Sequence, residues 1–262
     1  MDRLKDKVAI VTGAGQGIGR GIARRFAAEG ARLVVAELRT SSGEAVAAEL
    51  EGELKAEAIF VRTDVGQKPD VAAMVDATLK RFGRVDILVN NAWGGGTVSR
   101  LERKTDEDME HGLRVGFHAV FWAMQAVFPH MRDQGGGRIV NLCSLNGVNA
   151  HMFTAEYNSA KEAVRALTRT AAREWAKHNI LANVICPAAA SPAYVAFAQA
   201  APENAAEMLK QNPMGRMGDP ELDIGGVALF LASDDSRYVT GNTIFADGGS
   251  HINGVQWAPE LP

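Results

Sequence analysis

Short apolar runs alternate with amphipathic stretches along the whole chain, and that rhythm leaves few folds open. The runs are KVAIVTG (7–13), ARLVVAE (31–37), AEAIFVRTDV (56–65), VDILVNNA (85–92), GGRIVNLCS (136–144), ILANVICP (180–187) and NTIFADGG (242–249). Most are near-continuous in apolar residues, which reads as strands covered on both faces. Between them, 17–30, 42–54, 68–83, 106–132, 154–178 and 221–233 show helical periodicity, with Gly30 closing the first and Pro69 in the first turn of the third. Such alternation predicts an α/β fold, a doubly wound, Rossmann-like parallel sheet with helices on both faces and right-handed crossovers. Ligands then sit at the carboxyl ends of the strands. Residues 1–262 read as one domain with no repeat or linker; 188–218, rich in Ala, Pro and Met, breaks the rhythm.

With 47% apolar and 23% charged residues, the chain can bury a full core. The net charge is −3 and no Lys/Arg block stands out, so a nucleic-acid footprint is not expected. The longest apolar run, 119–128, contains Gln125 and is too short to span a bilayer. The N-terminus enters a strand directly without a signal-peptide core. Cys143 and Cys186 lie in strand-like runs and read as reduced core thiols, which fits a cytoplasmic location. His111 and His118 are seven apart with no third ligand near, so no metal site is expected.

The first strand leads through TGAGQGIG (12–19) into a helix. Gly13, Gly17 and Gly19 there allow a backbone to approach a pyrophosphate, with Gln16 and Ile18 between them and the helix N-terminus behind. Glycines also make ordinary turns; the strand–turn–helix context and an acid ending the second strand point to a dinucleotide. That acid, Glu37, lies 24 residues past Gly13. A carboxylate accepts hydrogen bonds from ribose hydroxyls and repels a 2′-phosphate, so NAD is expected over NADP. Arg39 works against this preference, but Gln16 offers no second cation for a phosphate clamp.

Tyr157 and Lys161 lie four apart in a helical stretch, on one face. An ammonium about 5 Å from a phenolate, at an effective dielectric near 20, is worth roughly 3 kcal/mol in the phenolate's favour. With TGAGQGIG, NNA, CSLNG and YNSAK in that order, the chain resembles the short-chain dehydrogenase/reductase family from about residue 7 to 249. The resemblance implies hydride transfer between NAD and a secondary alcohol or ketone. Tyr157 would be general acid/base, Lys161 its cation and Ser144 the holder of the substrate oxygen. It also implies a cofactor site of Gly13, Gln16, Gly17, Ile18, Gly19, Glu37, Asp64, Val65, Asn91, Tyr157, Lys161 and Pro187, with Asn90 steadying the sheet beside it.

Three departures stand out. Gly116 occupies the position of an Asn that, in the family, supports a distortion of the long helix and its proton relay; glycine keeps the carbonyl and tolerates distortion. His118 points away round the helix and is not expected to replace the Asn. Trp93 stands where a glycine is usual, and reads either as a pocket wall or as a packed strand-end aromatic. CPAAASP (186–192) replaces a Pro-Gly pair, with Ala188 after Pro187; Ala190 and Ser191 remain candidates for contacts at the nicotinamide end, although Pro192 stands where a Thr is usual.

Candidate pocket residues are Trp93, Asn146, Met152, Tyr194 and Phe197, which favour a neutral, partly apolar substrate. Segment 190–217 reads as a substrate lid or as a packed surface helix pair, and the tail 250–262, with Trp257, as a docking extension. The resemblance implies a homotetramer. Two rival readings stand beside the alcohol dehydrogenase. One is a cis-diol dehydrogenase of aromatic catabolism; the other is a dinucleotide-binding regulatory or scaffold protein weakened in catalysis.

Overall fold

The computed structural model describes residues 2–252. Its strands are β1 (Val8–Thr12), β2 (Arg32–Glu37), β3 (Ala58–Arg62), β4 (Ile87–Asn90), β5 (Gly137–Leu142), β6 (Ile180–Pro187) and β7 (Thr243–Ala246). They form one sheet in the order β3-β2-β1-β4-β5-β6-β7, and every pairing is parallel. Chain order reverses between β1 and β4, where the two strands leave a crevice at their carboxyl ends.

The apolar runs sort by parity into two cores. From β1, Ala9 and Val11 face the helices α1 (Gly17–Ala27) and α2 (Thr40–Leu54), where Ile22, Phe26 and Leu50 are fully buried. The helices α4 (Asp106–Leu113) and α5 (Ala119–Asp133) follow β4, and Val8 and Ile10 face the other side of the sheet, against Met74 of α3 (Lys68–Phe82) and α5, where Met124 and Met131 are buried. A strand buried on both faces has no polar parity, which is why these runs lack alternation.

The stretch 106–132 is helical throughout, but its middle, Arg114–His118, is a π turn between α4 and α5. Thr105 opens α4 with a reciprocal capping box with Asp108. After β5 come the single turn α6 (Leu145–Val148) and the long helix α7 (Ala155–Trp175). Segment 190–217 contains two nine-residue helices, α8 (Pro192–Ala200) and α9 (Pro202–Lys210), each with Pro in its first turn. Helices this short leave a weak periodic signal. A second π turn, Pro220–Ile224, leads into α10 (Gly225–Ala232), which completes the face covered by α1. Ser250–Ile252 form a 3-10 turn; Trp257 and the remainder of the expected extension lie outside the described residues.

Candidate active site

A cavity of about 660 Å³ opens at the carboxyl ends of β1, β2, β3 and β4. Its floor is the glycine turn. Gly13 and Gly17 have φ of +64° and +55°, where a side chain would be strained, and a Cβ on Gly13 would come within 2.8 Å of Ala92 Cα. Asn91 locks the turn: its Nδ2 donates to Thr12 O (2.9 Å) and Gly13 O (3.1 Å). Thr12 Oγ1 accepts from the backbone N–H groups of Asn91 and Ala92 at 3.0 and 3.1 Å. Asn90, one residue earlier, points into the sheet and donates to Asn141 Oδ1 at 2.8 Å, and Asn141 in turn donates to Thr168. The two adjacent asparagines therefore divide the work: Asn91 holds the turn and Asn90 ties β4 to β5.

Glu37, at the end of β2, reaches the cavity with its carboxylate held by the N–H groups of Gly15 and Arg39, both at 3.1 Å. A Cβ on Gly15 would come within 2.9 Å of Glu37 Oε2, so glycine there leaves the carboxylate its place. Asp64 Oδ1 accepts from Gly66 N at 2.9 Å and turns the chain after β3. Gly13, Gln16, Gly17, Ile18, Glu37, Asp64, Val65, Asn91 and Trp93 all line this one cavity. Gly19 does not line it; it packs behind the turn against Gly13 and Asn91. The wall also includes Arg39 and Ser191, both considered above, and Leu38, Thr63, Gly94, Gly95, His111, Val115 and Ala193, none of which carries a motif at its own position in the sequence. The size, the helix N-terminus behind the glycine turn and a carboxylate at the end of β2 fit a dinucleotide.

Tyr157 and Lys161 lie on α7, with Lys161 against the end of β5, the strand that Ser144 follows; none of the three lines the cavity. Lys161 is 4% exposed, and its ammonium donates to Leu142 O at 2.7 Å while lying 5.5 Å from the centre of the Tyr157 ring. Ser144 caps α6 by accepting from Asn146 N at 3.1 Å. That bond uses one lone pair, so the hydroxyl hydrogen is left to donate to a substrate oxygen. The two roles considered for Ser144, cap and oxygen holder, are compatible.

Trp93 and Gly116 prove to be one feature. A Cβ on Gly116 would lie 2.7 Å from Trp93 Cζ3 and 2.7 Å from Ala160 Cβ. The indole fills the space over the π turn that a side chain at 116 would need. His118 lies away from it, stacked on Trp122 with ring centres 5.6 Å apart.

At the far end, Ala190 N donates to Gly218 O (2.9 Å) and Ser191 Oγ accepts from Tyr194 N (3.3 Å), so both are engaged within the chain. Pro192 sits on the glycine turn, with its Cδ 2.9 Å from where a Cβ of Gly17 would stand. Pro187 ends β6 in register with Ala246 and does not line the cavity. Asn146, Met152, Tyr194 and Phe197 do not line it either; Met152 is 70% exposed, and Tyr194 and Phe197 lie beside each other on α8. Among the described residues no cluster of His, Cys, Asp or Glu could hold a metal ion, and no helix is long and apolar enough to cross a membrane.

A family model described as enoyl-(acyl carrier protein) reductase matches residues 13–251. The chain is 36% identical over 249 residues to a 12α-hydroxysteroid dehydrogenase of Clostridium sp., covering 93% of this chain and 96% of that protein. The crystal structure of levodione reductase superposes with a TM-score of 0.90 at 35% identity, covering 96% of this chain and all of the other. A 7α-hydroxysteroid dehydrogenase complexed with NADH and 7-oxo glycochenodeoxycholic acid superposes with a TM-score of 0.88 at 34% identity, covering 94% of this chain and 95% of that one. With this fold, this site and these relatives, the chain belongs to the short-chain dehydrogenase/reductase family and is a hydride-transferring oxidoreductase of secondary alcohols and ketones.

Proposed function

We propose that this chain is an NAD-dependent dehydrogenase of cyclic secondary alcohols and ketones, with Tyr157 as general acid/base. The observation that carries the chemistry is the placement of the Lys161 ammonium, pinned to Leu142 O at 2.7 Å and 5.5 Å from the Tyr157 ring centre. With that cation beside it, Tyr157 Oη takes a proton from a substrate hydroxyl in oxidation and gives one to a carbonyl in reduction. Ser144 Oγ–H donates to the substrate oxygen and holds it as charge develops. The nicotinamide dinucleotide, when bound, accepts or supplies the hydride. Gly13, Gln16, Gly17 and Ile18 would hold its pyrophosphate, Asp64 and Val65 its adenine side, and Asn91 and Lys161 its nicotinamide side.

The choice of NAD rests on Glu37, whose carboxylate is oriented by two backbone N–H groups in a cavity otherwise short of cations. It favours ribose hydroxyls and repels a 2′-phosphate; exposed Arg39 is the one opposing charge beside it. The substrate class is supported by the aromatic Trp93 wall and by relatives whose names include levodione and hydroxysteroids. Helices α8 and α9 would act as the lid, since Pro192 already rests on the glycine turn. A homotetramer follows from the family resemblance, and the two free buried cysteines support a cytoplasmic setting.

The test is reduction of levodione and 7-oxo glycochenodeoxycholic acid with NADH and NADPH, and oxidation of simple secondary alcohols and cis-diols with NAD and NADP, beside Tyr157→Phe. The expected result is activity with NAD at least tenfold above NADP, lost in Tyr157→Phe with dinucleotide binding retained. A preference for NADP refutes the role of Glu37, and an active Tyr157→Phe refutes the mechanism. Preference for cis-diols would transfer the reading to the diol dehydrogenase class.

A further inference from the structure

A buried ammonium ordinarily has a carboxylate partner, and Lys161 has none among the described residues. The carboxylates flanking it on α7 are already engaged: Glu156 pairs with Lys104 at 2.6 Å and Glu162 with Arg165 at 2.6 Å. Beneath it, burial pushes the Cys143 thiol up to about 12 and the Cys186 thiol up to about 11, so both are uncharged at neutral pH. What surrounds the ammonium instead is one carbonyl and two aromatic rings. Leu142 O accepts from it at 2.7 Å, with the Tyr157 ring centre at 5.5 Å and the Trp93 ring centre at 5.9 Å. Trp93 also meets the Tyr157 ring edge-on, with centres 4.7 Å apart at 70°.

We infer that Trp93 is a positioning residue for the proton-transfer pair, its indole holding the Lys161 ammonium in place of a counter-ion and bracing the Tyr157 ring, with Gly116 leaving it the room. The physical gain is specific. A carboxylate beside Lys161 would cancel much of its field at the Tyr157 oxygen. An indole face stabilises a cation through its quadrupole, carries no net charge and offers no proton acceptor. The ammonium is thereby braced while its charge still acts on the phenol. Gly116 is part of the device because a Cβ there would meet Trp93 Cζ3 and Ala160 Cβ, both at 2.7 Å. This inference rests on the proposed role of Tyr157.

Trp93→Phe, Trp93→Leu and Trp93→Ala separate a π face from mere volume. Two readouts apply: kcat, KM and their pH profiles with the best substrate of the panel above, and tyrosinate absorbance titrated without substrate, with Tyr157→Phe as the blank. Trp93→Phe should keep kcat within about threefold. Trp93→Leu and Trp93→Ala should lose about thirtyfold in kcat with little change in KM for NAD, the size expected for a desolvated cation–π contact. In those two variants the acid limb of kcat, and the formation of phenolate, should move to higher pH. Leu behaving like tryptophan, or Phe falling as far as Leu, overturns the inference and makes Trp93 a packing residue. An active Tyr157→Phe would instead refute the proposed mechanism, which distinguishes the two failures.

Discussion

Lys104 and Glu156 form an ion pair whose side chains are each 2% exposed, with Nζ 2.6 Å from Oε2. The pair joins the loop after β4, which carries Trp93 and the cavity-lining Gly94 and Gly95, to α7 one residue before Tyr157. Glu156 Oε1 accepts from Thr97 N at 3.0 Å, while Lys104 also donates to Thr97 Oγ1 (3.0 Å) and Thr97 O. Oε2 thus depends on Lys104 alone. At an effective dielectric near 20 the attraction at 2.6 Å is about 6 kcal/mol before desolvation. Desolvation of several kcal/mol per ion offsets most of it, so the intact pair adds little net stability. Removing one partner is different, because the other charge stays buried: Lys104→Met should cost about 3–5 kcal/mol. For a domain of this size that is a fall in Tm of roughly 10 °C. Lys104→Met/Glu156→Gln removes the orphaned charge and keeps an acceptor for Thr97 N, so it should recover more than half of the loss. Thermal unfolding by far-UV circular dichroism, at one protein concentration for all variants, reads both. A Lys104→Met shift below about 2 °C, or a double variant less stable than the single, would show that Glu156 is solvated and that the pair is not a strut.

Gly116→Asn restores a family residue yet should harm this protein, since its Cβ meets Trp93 and Ala160 at 2.7 Å. Overpacking of that kind costs about 1–3 kcal/mol, so Tm should fall by several degrees and kcat with it; a gain in kcat would refute the steric account. Thiol labelling tests the core beneath the site. With burial raising Cys143 to about 12 and Cys186 to about 11, thiolate is scarce below about pH 9, and the native protein should leave both unlabelled at pH 8. Reactivity should rise only as pH climbs toward those values, and denaturant should expose both thiols at once. Stoichiometric labelling of the folded protein at pH 8 would contradict the burial.

The chain alone determined whatever depends on spacing within one element or one turn. Seven apolar runs, most of them near-continuous and alternating with helical stretches, required a parallel sheet with helices on both faces. The glycine turn followed by Glu37 placed a dinucleotide at the carboxyl edge, and a four-residue interval put Tyr157 and Lys161 on one side of a helix. These are local periodicities, and the backbone geometry of a strand or helix converts them directly into position. Tertiary structure decided the rest. Trp93 and Gly116 read separately as two departures, because nothing in a sequence says that residues 23 apart compete for one volume; the crossing of the strand-four loop over the π turn does that. Lys104 and Glu156 carry no motif, and only burial turns an ordinary lysine and glutamate into a strut. Asn146, Met152, Tyr194 and Phe197 lie near the site along the chain and outside the cavity wall, while His111 and Val115 line it from helical segments whose packing angles no interval encodes. Periodicity specifies the elements, and side-chain volume and desolvation at their crossings specify the site.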